Sequence, residues 1–398
     1  MNRTLGPPSV GAPDGAFVDA VRERWQALPG SPDPAGLSGV VDAVARARGT
    51  VLGSAALAGA VRTVRAAIVG AGPLQPLLDD PAVTDVLVNG PSDVWVERSG
   101  RLVRVPLELG SDDDVRALAV RLAAAGGQRL DDAVPTVDAR LPDGTRLHAV
   151  IPPVAGGSTL LSLRVVRSRA WSLAELEAAG TVAPAAHAVL RALVATRANV
   201  LVSGATGSGK TTLLAALLSH VPHDERIVVI EEAEELRPRH PHVVRLLARR
   251  ANVDGAGRVE LAELVRQALR MRPDRLVLGE CRGAEVREVM AALNTGHDGG
   301  CATVHANAAA DVPARLEALA ALAGMSGSAV AAQAASAFDA VLHLRRAGGR
   351  RYLAELAVVR RVGSELEVVP ALTLTPDGHP TREPAWSRLS ARLESGAR

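Results

Sequence analysis

Lysine is almost missing from this chain: of the 45 basic residues one, Lys210, is lysine, and all the others are arginine. Aromatic side chains are scarce too, at 2% of 398 residues, so the core must pack through the aliphatic part of the 47% hydrophobic content. Few aromatic faces argue against a platform on which nucleic-acid bases stack. A formal net charge of only +2 argues against a protein whose main task is gripping a phosphate backbone, although a local basic groove stays open. The two cysteines, Cys281 and Cys301, make no disulfide framework and no metal-ligand pattern. No stretch approaches the ~20 apolar residues that span a bilayer. The opening "MNRTLGPPSVGAPDGAF" lacks the apolar region of a signal peptide. Together these predict a cytosolic protein with reduced thiols, reaching a membrane only through a partner.

At this length two domains with flanking arms are expected. Residues 1–70 read as a loose arm, Pro/Gly-rich at 1–15 and 28–37, with helical pieces and no core of its own. Residues 71–166 change texture. "VTDVLVNG" and "DVWVERSGRLVRV" alternate like strands about turns at Asn89-Gly90 and Ser99-Gly100, a helical run follows, and "VDARLPDGTRLHAVIPP" reads as a hairpin turning at Asp143-Gly144. This predicts a small α/β domain. After a linker at 167–180, residues 181–375 alternate helix and strand, the signature of a mostly parallel sheet with right-handed crossovers. Residues 376–398 read as a loose tail.

The chemistry starts where the lysine is. Gly204-Ala205-Thr206-Gly207-Ser208-Gly209-Lys210-Thr211 satisfies G-x-x-x-x-G-K-[ST] between an apolar strand and a helix that opens with Thr211 and Thr212. Glycines let backbone N–H groups close round an anion, and the following helix points its positive end at it. Lys210 would contact the β- and γ-phosphates of ATP, and the Thr211 hydroxyl would face Mg2+. A compact ammonium fits inside such a loop, whereas a planar guanidinium does not. Random placement among the 45 basic positions would put the lone lysine here one time in 45. The plain alternative is a fortuitous glycine turn.

Acids follow at strand ends. "DRLVLGE" ends in Glu280, placed to orient or deprotonate a water, or else a solvent-facing terminus. "VVIEEAEEL" offers Glu231 and Glu232, one of which would reach the metal or its waters, whereas Glu234 and Glu235 read as a solvated helix start. "TGHDGGCATVHAN" carries His297 and His305 in a glycine-rich loop, a pair that reads as a sensor of phosphate state. Either histidine alone would more often be structural.

This ordered set, with "GPLQPLLDDPAVTDVLVNGPSDVWVERSGRL" and "RQALRMRPDRLVLGECRG", resembles the type II/IV secretion ATPases, most closely the branch that powers tight-adherence (Flp) pilus assembly. The resemblance runs from about Gly72 to Phe338. It implies a hexameric ring in which a small N-terminal domain caps a RecA-like motor domain, ATP being held between them. It implies that "IEEAEEL" is the Asp box, with Glu232 standing where the family usually has aspartate. "LVLGE" would be Walker B, with Glu280 activating water, and "TGHDGGCATVHAN" the His box, where Gly300-Cys301 departs from the usual pair and leaves packing as the plainest use of Cys301. Arg146 and Arg164, and more weakly Arg140, match N-terminal-domain arginines that reach the phosphates. An inner-membrane platform would be the partner, met at the inner face of the cytoplasmic membrane. Two other readings stand beside this motor: a conjugal-transfer or DNA-translocating RecA-like ATPase, and a nucleotide-dependent assembly factor with negligible turnover.

Overall fold

The computed structural model describes residues 15–28, 36–68, 70–98, 100–165, 170–249 and 257–395. The expected loose segments at 1–14 and 29–35, Ser99 of one turn, and the start of the linker at 166–169 lie outside the described residues. The chain divides into two compact units, 1–167 and 168–398.

The first unit begins with α1 (Gly15–Gln26), α2 (Leu37–Ala47) and α3 (Ser54–Ile68). These helices form a small core of their own, with Val21, Leu37, Val41 and Val64 fully buried. The expectation of a coreless arm is corrected here. Val40, Val41 and Val44 of α2 recur at the spacing that gathers apolar side chains on one helix face, so a face was present to be buried. After α4 (Gln75–Asp79) come β1 (Val83–Gly90), β2 (Asp93–Arg98), β3 (Arg101–Val105), α5 (Asp112–Ala125), β4 (Thr136–Arg140), β5 (Arg146–Val150) and β6 (Leu160–Arg164). The strands form one sheet in the order β3-β2-β1-β6-β5-β4, antiparallel at every pairing. Alternation in sequence explains it: β6 buries Leu161 and Leu163 and exposes Leu160, Ser162 and Arg164. Helix α5 starts sharply because Ser111 and Asp114 satisfy each other's backbone N–H groups in a capping box.

The second unit runs α6 (Leu173–Ala178), α7 (Pro184–Ala195), β7 (Val200–Gly204), α8 (Lys210–Leu218), β8 (Ile227–Glu231), β9 (Val243–Leu247), α9 (Leu261–Ala268), β10 (Arg275–Cys281), α10 (Glu285–Leu293), β11 (Cys301–Val304), α11 (Val312–Ala321), α12 (Gly327–Ala337), β12 (Ala340–Ala347), β13 (Arg350–Val362), β14 (Glu365–Leu374), β15 (Pro380–Arg382) and α13 (Trp386–Ser395). Its nine strands lie in the order β15-β14-β13-β12-β7-β11-β10-β8-β9. From β9 to β12 every neighbour is parallel; from β12 to β15 every neighbour is antiparallel. Strands β7 and β8 are buried at all five positions, as strands of a parallel sheet covered on both faces must be. Side chains of α6, α7, α8 and α13 fill a core on one face, and those of α9 to α12 a core on the other.

The tail expected to be loose from 376 instead carries β15 and α13. Leu389 is buried in the core, and Arg392 donates to Asp339 at 2.8 Å. Isolated, so short an amphipathic helix is marginal; packing supplies its stability.

Candidate active site

The phosphate-type loop follows the buried strand β7 and closes into α8. Gly204, Gly207 and Gly209 have φ of 149°, 71° and 100°, angles that disfavour any side chain. Space also demands Gly204, since a Cβ there would stand 2.6 Å from the Leu344 carbonyl oxygen and 2.6 Å from Ser208 Oγ. Gly209 is the N-cap of α8, brings no capping side chain, and no acid occupies the first turn. The helix start therefore keeps its N–H groups and its positive end for a ligand. Ser208 Oγ, within the loop, is buried without a partner. Such a group costs free energy unless something bonds to it.

Lys210 is only 7% exposed. Its Nζ donates to the Gly204 and Ala205 carbonyl oxygens at 3.0 and 3.1 Å and lies 3.2 Å from His305 Nδ1. Burial pushes the ammonium below its usual pKa. His305 is lowered as well, by burial and then by the Lys210 charge. Its other nitrogen, Nε2, lies against Glu280 Oε1. Lys210, His305 and Glu280 thus form one continuous chain of polar groups, delivered by the start of α8, the residue after β11 and the end of β10.

Glu231 and Glu232 part company at the end of β8. Glu231 turns inward, where Oε1 accepts from the backbone N–H groups of Glu235 and Leu236 at 3.0 and 2.9 Å, and burial pushes it up to about 7. Gly279 is required opposite it, because a Cβ there would meet Glu231 Cγ at 2.7 Å. Glu232 faces outward and accepts from Arg282 Nη1 at 3.0 Å. Arg282 also donates to Glu280 Oε2 at 2.7 Å, so one guanidinium bridges both acids. Sequence reasoning missed Arg282, although its position two residues after Glu280 was a readable signal. Glu234 and Glu235 open no helix; Glu234 pairs with Arg237 at 3.3 Å and Arg245 at 3.7 Å, and the backbone of this stretch is committed to Glu231.

His297 is not brought to this cluster. It precedes β11 and its ring contacts the Ala292 carbonyl oxygen at 3.2 Å, whereas His305 follows β11. The strand's length separates the two, placing them at opposite edges of the sheet. A buried histidine that sequence reasoning passed over, His343 of β12, pairs with Ser203 of β7, Nδ1 to Oγ 2.9 Å, just behind the loop. Cys281 and Cys301 are buried free thiols, both raised by burial, Cys301 to about 11, which keeps them unreactive packing groups.

Arg140, Arg146 and Arg164 belong to the first unit and stand in one row across β4, β5 and β6, Arg140 opposite Arg146 and Arg146 opposite Arg164. Arg164 donates to Asp85 at 3.0 Å. Like charges facing one another across strands are unfavourable unless counter-charges join them.

Loop, orphan hydroxyl and buried ammonium fit a polyphosphate. Thr211 in the first turn and Glu232 at the strand edge are the residues on hand for Mg2+, which is held by few protein ligands together with the phosphates.

Comparison with known proteins identifies the family. A chain of Mycobacterium tuberculosis (strain H37Rv), provisionally named as a conjugal transfer protein, is 52% identical over 326 residues, covering 80% of this chain and 93% of that one. Protein VirB11 of Agrobacterium fabrum is 33% identical over 260 residues, covering 58% of this chain and 75% of its own. The fold is shared with the Legionella pneumophila ATPase DotB, at 21% identity and a TM-score of 0.51 over 71% of this chain and 78% of that one. The profile of the type II/IV secretion system protein family matches residues 68–356, well over half of the chain, and the protein belongs to that family.

Proposed function

We propose that the protein hydrolyses MgATP and passes the resulting motion to a type II/IV secretion machine. One observation carries this: Lys210 at the start of α8, His305 just after β11 and Glu280 in β10 meet at one edge of the parallel sheet beside an uncapped helix start. In this reading the loop amides and Lys210 hold the β- and γ-phosphates of ATP. Lys210 exchanges its two loop carbonyl contacts for phosphate oxygens. Thr211 and Glu232 would hold Mg2+, which would supply charge neutralisation on the phosphates. Glu280 orients the attacking water and accepts its proton. His305, in contact with both Lys210 and Glu280, senses whether the γ-phosphate is present. Little covalent chemistry is asked of the protein, so positioning and charge supply most of the rate.

The finer parts of the proposal rest on the resemblance. They are a 71–166 domain whose Arg146 and Arg164 reach the phosphates, a hexameric ring, a pilus-assembly task of the tight-adherence kind, and a platform partner at the inner face of the cytoplasmic membrane. No helix among the described residues is long and apolar enough to cross a membrane, and the first sheet collects its arginines in a row. The relatives named for conjugal transfer favour a second reading in which the transported cargo includes DNA. Stimulation of ATP turnover by single-stranded DNA that disappears with added salt would favour that second reading; indifference to DNA favours protein export.

The decisive experiment compares ATP turnover of the protein and Glu280→Gln at saturating nucleotide. Turnover in the variant is expected to fall by about 10²–10³-fold while nucleotide still binds. Equal rates would remove the enzyme claim.

A further inference from the structure

Strand β12 runs beside β7 with Leu344 opposite Gly204, so it continues past the phosphate-type loop. It turns at Gly348 and Gly349, both at positive φ, and returns as β13, with Arg351 opposite Arg346. Leu344 and Leu353 both sit in the core that holds α8. Two residues farther along each strand, Arg346 and Arg351 come to that same face, since side chains repeat every second residue. The stem of Arg351 then lies on the loop itself. A Cβ built on Gly209 would stand 3.6 Å from Arg351 Cδ, an ordinary contact, and the guanidinium begins one bond beyond that carbon.

Other arginines of this unit have acids to answer them: Arg350 has Asp377 at 3.8 Å, Arg360 has Glu367 at 2.6 Å, and Arg392 has Asp339 at 2.8 Å. No acid is paired with Arg351 among the described residues, and a second arginine faces it across the hairpin. The loop beneath is built for an anion: its helix start is uncapped and Ser208 Oγ is buried without a partner.

We propose that Arg351 is a nucleotide-contacting residue, a cation supplied by the β12–β13 hairpin to the phosphates of a bound nucleoside di- or triphosphate. The proposal rests on the nucleotide-hydrolysing reading and adds a binding group that lies outside the boxes of the sequence. It assigns Arg351 to binding and leaves the chemical step to Glu280. Loss of its charge therefore weakens affinity for nucleotide and leaves the rate at saturation nearly intact.

The test measures equilibrium binding of a fluorescent ADP derivative to the full chain, with ATP turnover measured alongside. Arg351→Ala is expected to raise the Kd about tenfold, the size of one charge-assisted hydrogen bond, with kcat within about threefold. Arg351→Lys keeps the charge and Arg351→Gln removes it, which guards against a fault in folding. Affinity that follows the charge, Lys above Gln, supports the proposal, and identical affinities in the two variants overturn it. A Kd for Arg351→Ala within twofold of the unaltered protein, or a fall in kcat with the Kd unmoved, overturns it as well. Arg360→Ala, on the same strand and paired elsewhere, should change neither quantity. If Lys210→Ala loses nucleotide and Arg351→Ala does not, this inference alone fails. If the unaltered protein binds no ADP, the nucleotide-hydrolysing reading fails with it.

Discussion

The two sheets gather their polar residues in different ways. In the nine-stranded sheet the parallel strands β7, β8, β10 and β11 all emerge at one edge, so Lys210, Glu232, Glu280 and His305 converge there although up to 95 residues of sequence separate them. In the six-stranded sheet the strands alternate in direction, and no edge collects every strand end. Its arginines come together only through register, Arg140 with Arg146 and Arg146 with Arg164. Topology makes the first site; pairing makes the second. A slip of one residue in β5 would turn Arg146 to the other face, whereas the convergence at the parallel edge would survive small local changes.

The largest effect should come at the parallel edge. Lys210→Ala is expected to cut ATP turnover by at least about 100-fold in a steady-state assay, because it removes the buried ammonium that the proposed function assigns to the phosphates; near-normal turnover would break the comparison at its stronger side. Next comes the arginine row. Arg146→Ala and Arg164→Ala are each expected to lower kcat/KM by about tenfold to a hundredfold, the range of a charge-assisted hydrogen bond. Unchanged kinetics in both would make the antiparallel sheet a scaffold only.

Stability should separate the sheets as well. Leu201→Ala, in a strand buried on both faces, should cost about 2–5 kcal/mol in denaturant unfolding. Leu102→Ala, on the exposed edge strand β3, should stay within about 0.5 kcal/mol. The smallest effect is a matter of pH. Burial, with the Arg345 charge adding to it, holds His343 below its ordinary pKa of 6.5. It stays neutral in the folded chain while the unfolded chain takes up a proton below 6.5, so its contribution is present above that pH and is lost as pH falls. On acidification below pH 6.5 the melting temperature of His343→Gln should fall less, or rise more, than that of the unaltered protein; identical pH dependence in the two would remove His343 from the account.

Local chemistry was readable wherever the chain acts on its near neighbours. The loop from Gly204 to Thr211 declares itself because left-handed backbone is a property of glycine, and β7 declares itself because the apolar run Val200-Leu201-Val202 leads straight into that loop. Glu231 and Glu232 were not separable by reading. Their difference lies in which one meets the N–H groups of Glu235 and Leu236. His297 and His305 looked like a pair because they are eight residues apart, but β11 runs between them. The last helix looked like tail because its main anchor, Asp339, lies 53 positions away.

By itself the sequence determined most of the elements before residue 376, the anion loop and the identity of the groups available for chemistry, since propensity, periodicity and glycine backbone are short-range effects. Which acid turns inward, which histidine joins the lysine, and that Arg351 lies over the loop were decided by the tertiary structure. Each of those depends on strand order and register, and so on burial free energy summed over side chains far apart in the chain.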